Sequence, residues 1–191
     1  MFENTIFFLG KKNKKLEKKL TEKFEKVLFV KEVSTIEEIK KEEKKNYDVV
    51  LIKNENVKML RRMIEKAANY FDVFVLGVND QVNRIALEHR KVKALVSPEY
   101  GRKHDYIDYR NSGLNHVLCK IANNNNKTII ENFSDFLEKD NKEKATLLGR
   151  ILQNARLCRK YKVNFTVGLF VSDETSLRPH DLKYFQRILN Y

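Results

Sequence analysis

Two groups of residues carry whatever chemistry this chain can perform. The first is made of carboxylates and amides. Asn79 with Asp80, Ser97 with Glu99, and Glu131 with Asn132 each follow a short apolar run. Acids and amides converging at strand ends suit a divalent metal that hydrolyses phosphate esters, so a metal-dependent phosphoesterase is the competing reading. That chemistry also requires closely spaced histidines, often His-x-His leaving the first strand. Here the first apolar run exits as LGKKNKK, and His89, His104, His116 and His180 are scattered. The expectation is that this chain holds no metal centre and no catalytic side chain. A Gly-x-Ser-x-Gly elbow, a Walker loop and a Gly-x-Gly-x-x-Gly turn are also absent.

The second group is basic and aromatic. Ser97-Pro98-Glu99 ends an apolar run, GRKHDYIDYR follows, and Asn111 or Ser112 is placed to cap a helix beginning near Gly113. The first-turn amides of such a helix attract anions, and Arg102, Lys103 and Arg110 would flank a phosphate there. A buried stripe of Leu114, Val117, Leu118 and Ile121 would leave His116 pointing away from the core and Asn115 on the flank. Tyr100, Tyr106 and Tyr109 suit either stacking on unpaired bases or closing a rim. Further along, RILQNARLCRKYK carries Arg150 and Lys160 away from the stripe Leu148, Ile151, Leu152, Ala155 and Cys158, with Arg156 on the flank. Arg159 drops toward that stripe, and a solvated face is the ordinary reading of such a helix. Finally SLRPHDL places Pro179 in a first helical turn behind Arg178, with Asp181 near the positive helix end.

Charge agrees with the second group. Lys and Arg number 38 against 26 acids, a net of +12, which favours polyanionic partners through counterion release. Part of the lysine serves simply to solvate helices, since Asn and Ile are abundant as well. TIFFLG is too short to span a bilayer, and its positive residues follow rather than precede it, so neither signal nor membrane segment is expected. Cys119 and Cys158 lack CxxC spacing, which argues against a disulfide framework or a zinc knuckle. A soluble, cytoplasmic protein follows as an expectation.

These residues need a scaffold. TIFFLG, KVLFV, DVVLI, DVFVLGV, KALVS, KTIIEN and VNFTVGL are short, continuous apolar runs, as strands covered on both faces require. Between them lie single-stripe helical patterns, among them Leu16, Leu20 and Phe24, and Val57, Leu60, Ile64, Ala67 and Phe71. Alternating β and α implies parallel strands with right-handed crossovers. An open doubly wound sheet and a closed barrel both fit. Seven strands in 191 residues favour one domain, residues 1–191, folded as a lean seven-stranded TIM-like barrel.

Read together, VNRIALEH (82–89), ALVSPEYGRK (94–103), SGLNHVLCKIANNN (112–125), NARLCRKYKV (154–163) and SLRPHDL (176–182) resemble the archaeal ribonuclease P protein component 3, or p30 subunit, family. The resemblance implies a seven-stranded barrel of the polymerase and histidinol phosphatase (PHP) type without the metal centre. It also implies a ribonucleoprotein endonuclease that removes the 5′ leader from precursor tRNA, with Mg2+-dependent hydrolysis performed by the RNA subunit. Implied partners are the ribonuclease P RNA, precursor tRNA indirectly, a small ferredoxin-like subunit and the other ribonuclease P proteins. The matching motifs carry over Arg84, Arg102, Lys103, Asn115, His116, Lys120, Arg178 and Asp181 as RNA- or partner-binding residues. Arg110, Arg150 and Arg156 join them on charge and position alone. HDYIDYRN interrupts the family's passage from GRK to SGL, so Tyr106, Tyr109 and Arg110 inherit no role. The Arg-Ser-Pro-x-Asp form is one residue shorter here, as RPHD. A generic RNA-binding module is the third reading.

Overall fold

Strands such as VVLI show no polar alternation because water reaches neither of their faces. In the computed structural model, which describes residues 5–173 and 179–189, seven such strands close into an all-parallel barrel in strict chain order. They are β1 (Thr5–Leu9), β2 (Lys26–Val33), β3 (Val49–Ile52), β4 (Asp72–Leu76), β5 (Val92–Val96), β6 (Thr128–Asn132) and β7 (Asn164–Val171). β1 pairs with β7 through Ile6 and Leu169, which closes the ring and leaves no free edge. The expected closed barrel is thus the observed fold.

Phenylalanines fill so narrow a barrel. Phe7 stacks on Phe170 with ring centroids 4.4 Å apart and meets Phe74 edge-on at 5.9 Å. Gly168 makes room for them, since a Cβ there would lie 2.3 Å from the Phe7 ring. Two further apolar layers lie between barrel and helices. One packs under α2 (Val57–Ala67), α3 (Asp80–Glu88) and α4 (His116–Asn124). The other packs under α1 (Lys14–Thr21), α5 (Phe133–Glu138), α6 (Asn141–Lys160) and α7 (Pro179–Leu189). Between β2 and β3 the described crossover holds only a 3-10 turn, Lys41–Lys45, in place of an α-helix.

The abundant asparagines have structural work. Asn13, Asn56, Asn79, Asn115, Asn132 and Asp140 cap α1 to α6, each side chain accepting a first-turn N–H. Two sequence expectations are corrected at α4. The helix begins at His116 rather than near Gly113, because Gly113 sits at φ +76, outside helical space, and Asn115 rather than Asn111 or Ser112 is the cap. The stripe shifts with it to Leu118, Cys119 and Ala122, and Val117 stands 43% exposed. Cys119 and Cys158, apart in sequence, meet as buried free thiols between α4 and α6.

Candidate functional site at the carboxyl-terminal rim

In a parallel barrel the strand C-termini share one rim, and the β5–α4 connection, residues 97–115, is the long excursion there. Both of its ends are tied to one side chain. Asn83, fully buried on α3, donates through Nδ2 to the Pro98 carbonyl at 2.9 Å and to the Gly113 carbonyl at 3.0 Å. Gly113 lies so close to Pro98 that a Cβ would sit 1.9 Å from the Pro98 oxygen. Glycine is therefore required twice over at this position, for its φ and for the space.

The middle of the excursion is gripped by α6. Arg150, Gln153 and Asn154 follow one another at helical i, i+3, i+4 spacing and face the loop. The Arg150 guanidinium donates to Asp105 Oδ1 at 2.7 Å and to the Arg102 carbonyl at 2.8 Å. Gln153 donates to the Arg110 carbonyl and to Ser112 Oγ, both at 2.8 Å, and accepts from the Arg110 N–H. Asn154 donates to the Ser112 carbonyl and to Glu131 Oε1, both at 3.0 Å. Asp105 is the hub, also accepting from Arg110 Nη1 at 2.7 Å and from the Asn111 amide. Burial opposes ionisation of Asp105, but the hydrogen bonds from Arg110 and Arg150 prevail and hold its carboxyl down at about 2.

This arrangement corrects the expected place of Arg150. Its side chain is only 8% exposed and turned inward, because a carboxylate 45 residues upstream meets it there. Arg102 is likewise 10% exposed, with Nη2 2.7 Å from Asp80 Oδ1. Both cations hold the rim loop together. Asn115 spends its side-chain oxygen on the Leu118 amide. Arg110 is outward but shared with Asp105.

Four of the remaining predicted residues lie on neighbouring helices. α3 packs on α4 and α4 on α6, forming one outer wall. Arg84 on α3, His116 and Lys120 on α4, and Arg156 on α6 are all solvent-exposed on it, with Lys103 exposed at the rim above. Arg84 pairs with Glu88 one turn along its own helix, a contact that solvent weakens. Asp181 is exposed in the first turn of α7, and Arg178 lies outside the described residues.

Inside the rim the charge reverses. Glu32, Asp135 and Glu138 line the barrel mouth with Lys53 and Tyr100, whose hydroxyl accepts from Lys53 Nζ at 3.0 Å. Tyr100 therefore closes the rim. Burial, then the neighbouring Glu138, pushes Asp135 up to about 6. Behind it Glu99 and Glu131 are buried against one another. Desolvation drives Glu99 up to about 7, and desolvation together with the Glu99 charge raises Glu131 in the same direction. Among the described residues no group of three or more His, Cys, Asp or Glu side chains is arranged to hold a metal ion.

Sequence reasoning missed Asn83, Asp105 and Gln153; it brought Glu99 and Glu131 to this rim, where the structure buries them against one another. Asn83 did leave a signal, an amide inside the apolar stripe of α3. Asp105 left none, because its buried partner Arg150 lies 45 residues further along the chain.

No protein-family model matches the chain. Ribonuclease P protein component 3 of Methanocaldococcus jannaschii is 33% identical over 147 residues, covering 76% of this chain and 60% of that protein. The Methanococcus maripaludis protein of the same name is 28% identical over 154 residues, covering 80% and 63%. A chain in the cryo-EM structure of archaeal ribonuclease P with mature tRNA matches 97% of this chain and 82% of its own length, with TM-score 0.73 and 27% identity. The chain is thus similar to ribonuclease P component 3 proteins over most of its own length. It spans about three fifths of the length of these curated component 3 proteins, 60% and 63%. An uncharacterised protein of known crystal structure, 8% identical with TM-score 0.58, is similar to this chain in fold alone. No described helix is long and apolar enough to cross a membrane.

Proposed function

We propose that this chain is a protein subunit of ribonuclease P, supporting the RNA subunit in removing the 5′ leader from precursor tRNA. In this reading the RNA subunit, with Mg2+, breaks the bond, and the chain supplies grip. Its partners are that RNA, precursor tRNA indirectly, a small ferredoxin-like protein subunit and the other proteins of the particle, in the cytoplasm. The observation that carries the reading is the match of nearly the whole chain to a component of the archaeal particle captured with mature tRNA.

Electrostatics supports a division of surfaces. Folded RNA hides its base edges, so a protein holds it mainly through phosphate and shape. Phosphate is repelled by the acidic barrel mouth of Glu32, Asp135 and Glu138. It is attracted by the outer wall of Arg84, His116, Lys120 and Arg156 below Lys103. Those five are the contacts proposed for RNA. Arg102, Arg150 and Asn115 act one step back, by fixing the loop and the helix that carry them. Arg178 and Asp181 remain contacts proposed from the resemblance.

Reconstitution tests this directly. A particle assembled from its RNA and proteins is assayed for leader cleavage with this chain, without it, and with a variant carrying Arg84→Ala, Lys120→Ala and Arg156→Ala. Omission is expected to lower cleavage strongly and the triple variant to lower it in part. Unchanged leader cleavage on omission would sink the proposal.

A further inference from the structure

Residues 104–111 form an insertion that the component 3 motifs leave without a role, and they are built like a mount. Asp105 is fastened by Arg150 and Arg110. Asn111 closes the neck by donating to the His104 carbonyl, and the Tyr106 amide donates to the Tyr109 carbonyl at 3.0 Å. The backbone is therefore ordered by the chain itself. What it carries is apolar. Of six large hydrophobic side chains exposed on the described surface, three are Tyr106, Ile107 and Tyr109, so the exposure is concentrated within four residues. Ile107 is fully exposed. Leaving an aliphatic group in water on a pinned turn is unfavourable, and such clustered exposure marks a contact surface.

The chemistry of the apex separates the two classes of partner. Across residues 106–109 the one charge is Asp108, whose carboxylate repels phosphate. The nearest guanidinium, Arg110, is committed to Asp105. The two rings lie against each other, centroids 4.6 Å apart at 30°, so each has spent one face before any base arrives. Ile107 has no face to stack. A nucleic-acid contact rests on phosphate neutralisation and open aromatic faces, and this apex offers neither in full. A protein pocket suits it better: Tyr and Ile fill an apolar hollow, and a basic group at its edge complements Asp108.

We infer that the 104–111 turn is a preformed docking knob that seats Tyr106, Ile107 and Tyr109 in an apolar, basic-rimmed pocket of another protein subunit in the same particle. The inference rests on the subunit reading above. Preorganisation spares the ordering cost that a mobile loop would pay on binding, which favours a tight contact from a small area.

The experiment uses the reconstituted particle, with p-benzoylphenylalanine at position 107 for cross-linking and an Ile107→Asp variant for affinity. Irradiation is expected to join position 107 to another ribonuclease P protein, and Ile107→Asp to weaken that pairwise binding at least tenfold with no change in melting temperature. A cross-link to RNA, or binding unchanged by Ile107→Asp, overturns the knob while leaving the subunit reading intact. A chain that fails to enter the particle at all overturns both. Tyr106→Ala with Tyr109→Ala gives a second check, since these exposed rings are not needed for the core. Loss of RNA affinity with intact protein binding would assign the rings to bases and reject the inference.

Discussion

Asp105 shows how one side chain decides the shape of a rim. It turns Arg150 inward, and without it Arg150 would be left as a nearly buried cation lacking its carboxylate, an arrangement proteins rarely tolerate. Replacing Asp105 with Ala is expected to cost about 2–3 kcal/mol of stability, measurable by urea denaturation, and to raise proteolysis within 100–111. Asp105 and the glutamate pair set pH dependences of opposite sign. The Asp105 carboxyl is held at about 2 against 3.8 when free, so its contribution is whole above 3.8 and fades as pH falls toward 2. Glu99 runs the other way. It ionises near 4.5 when free and near 7 when folded, so from 4.5 upward the unfolded chain loses a proton that the native state keeps. Stability therefore declines as pH rises through 7, with Glu131 adding in the same direction, while Arg150 and Asn154 moderate the effect and Asp135 strengthens it. Denaturation midpoints at pH 6 and pH 8 should show the loss, and Glu131→Gln should flatten it. An equally steep profile in that variant would place the titration elsewhere.

At the scale of elements, the seven strands were legible because double-sided burial writes itself as continuous apolar runs, and closure followed from their number in so short a chain. Helix faces were legible where stripes were long. They failed at α4, where a stripe drawn through Leu114 and Val117 ignored the turn that Gly113 must make before Asn115 can cap. They failed again at Arg150, because a lone cation on a helix reads as solvated until a distant carboxylate is known to meet it. The short α5 and the helix-free β2–β3 crossover left too little periodicity to read. The excursion between β5 and α4 also makes a prediction of its own. Asn83→Ala leaves the Pro98 and Gly113 carbonyls buried without a donor and should destabilise by about 2–4 kcal/mol. Gly113→Ala meets both a left-handed φ and the Pro98 oxygen, and should cost at least as much. Thermal unfolding of both variants checks this; a melting temperature within 2 °C of the parent for either would mean that the loop ends are not held by these contacts.

The whole molecule is a closed barrel with Glu32, Asp135 and Glu138 at its mouth, exposed cations on its outer helices and a net charge of +12. Closure matters for the proposed role, because affinity for RNA would then come from charges already in place rather than from a lid or an edge strand. Each phosphate neutralised releases about 0.9 of a counterion on a duplex, so the slope of log affinity against log salt counts contacts. If Arg84, Lys120 and Arg156 each meet one phosphate, replacing all three with Ala should reduce that slope by about 2.7 units. Because these side chains are exposed and make no core contact, the melting temperature should stay where it was. Arg150→Ala makes the contrast. It is expected to lower the melting temperature and to weaken RNA binding only through the loop it supports, with a salt slope close to that of the parent. The two measurements together separate a wall that touches RNA from a hub that positions it. A slope indifferent to the triple variant would move the RNA to another face of the barrel and leave α3, α4 and α6 for a protein.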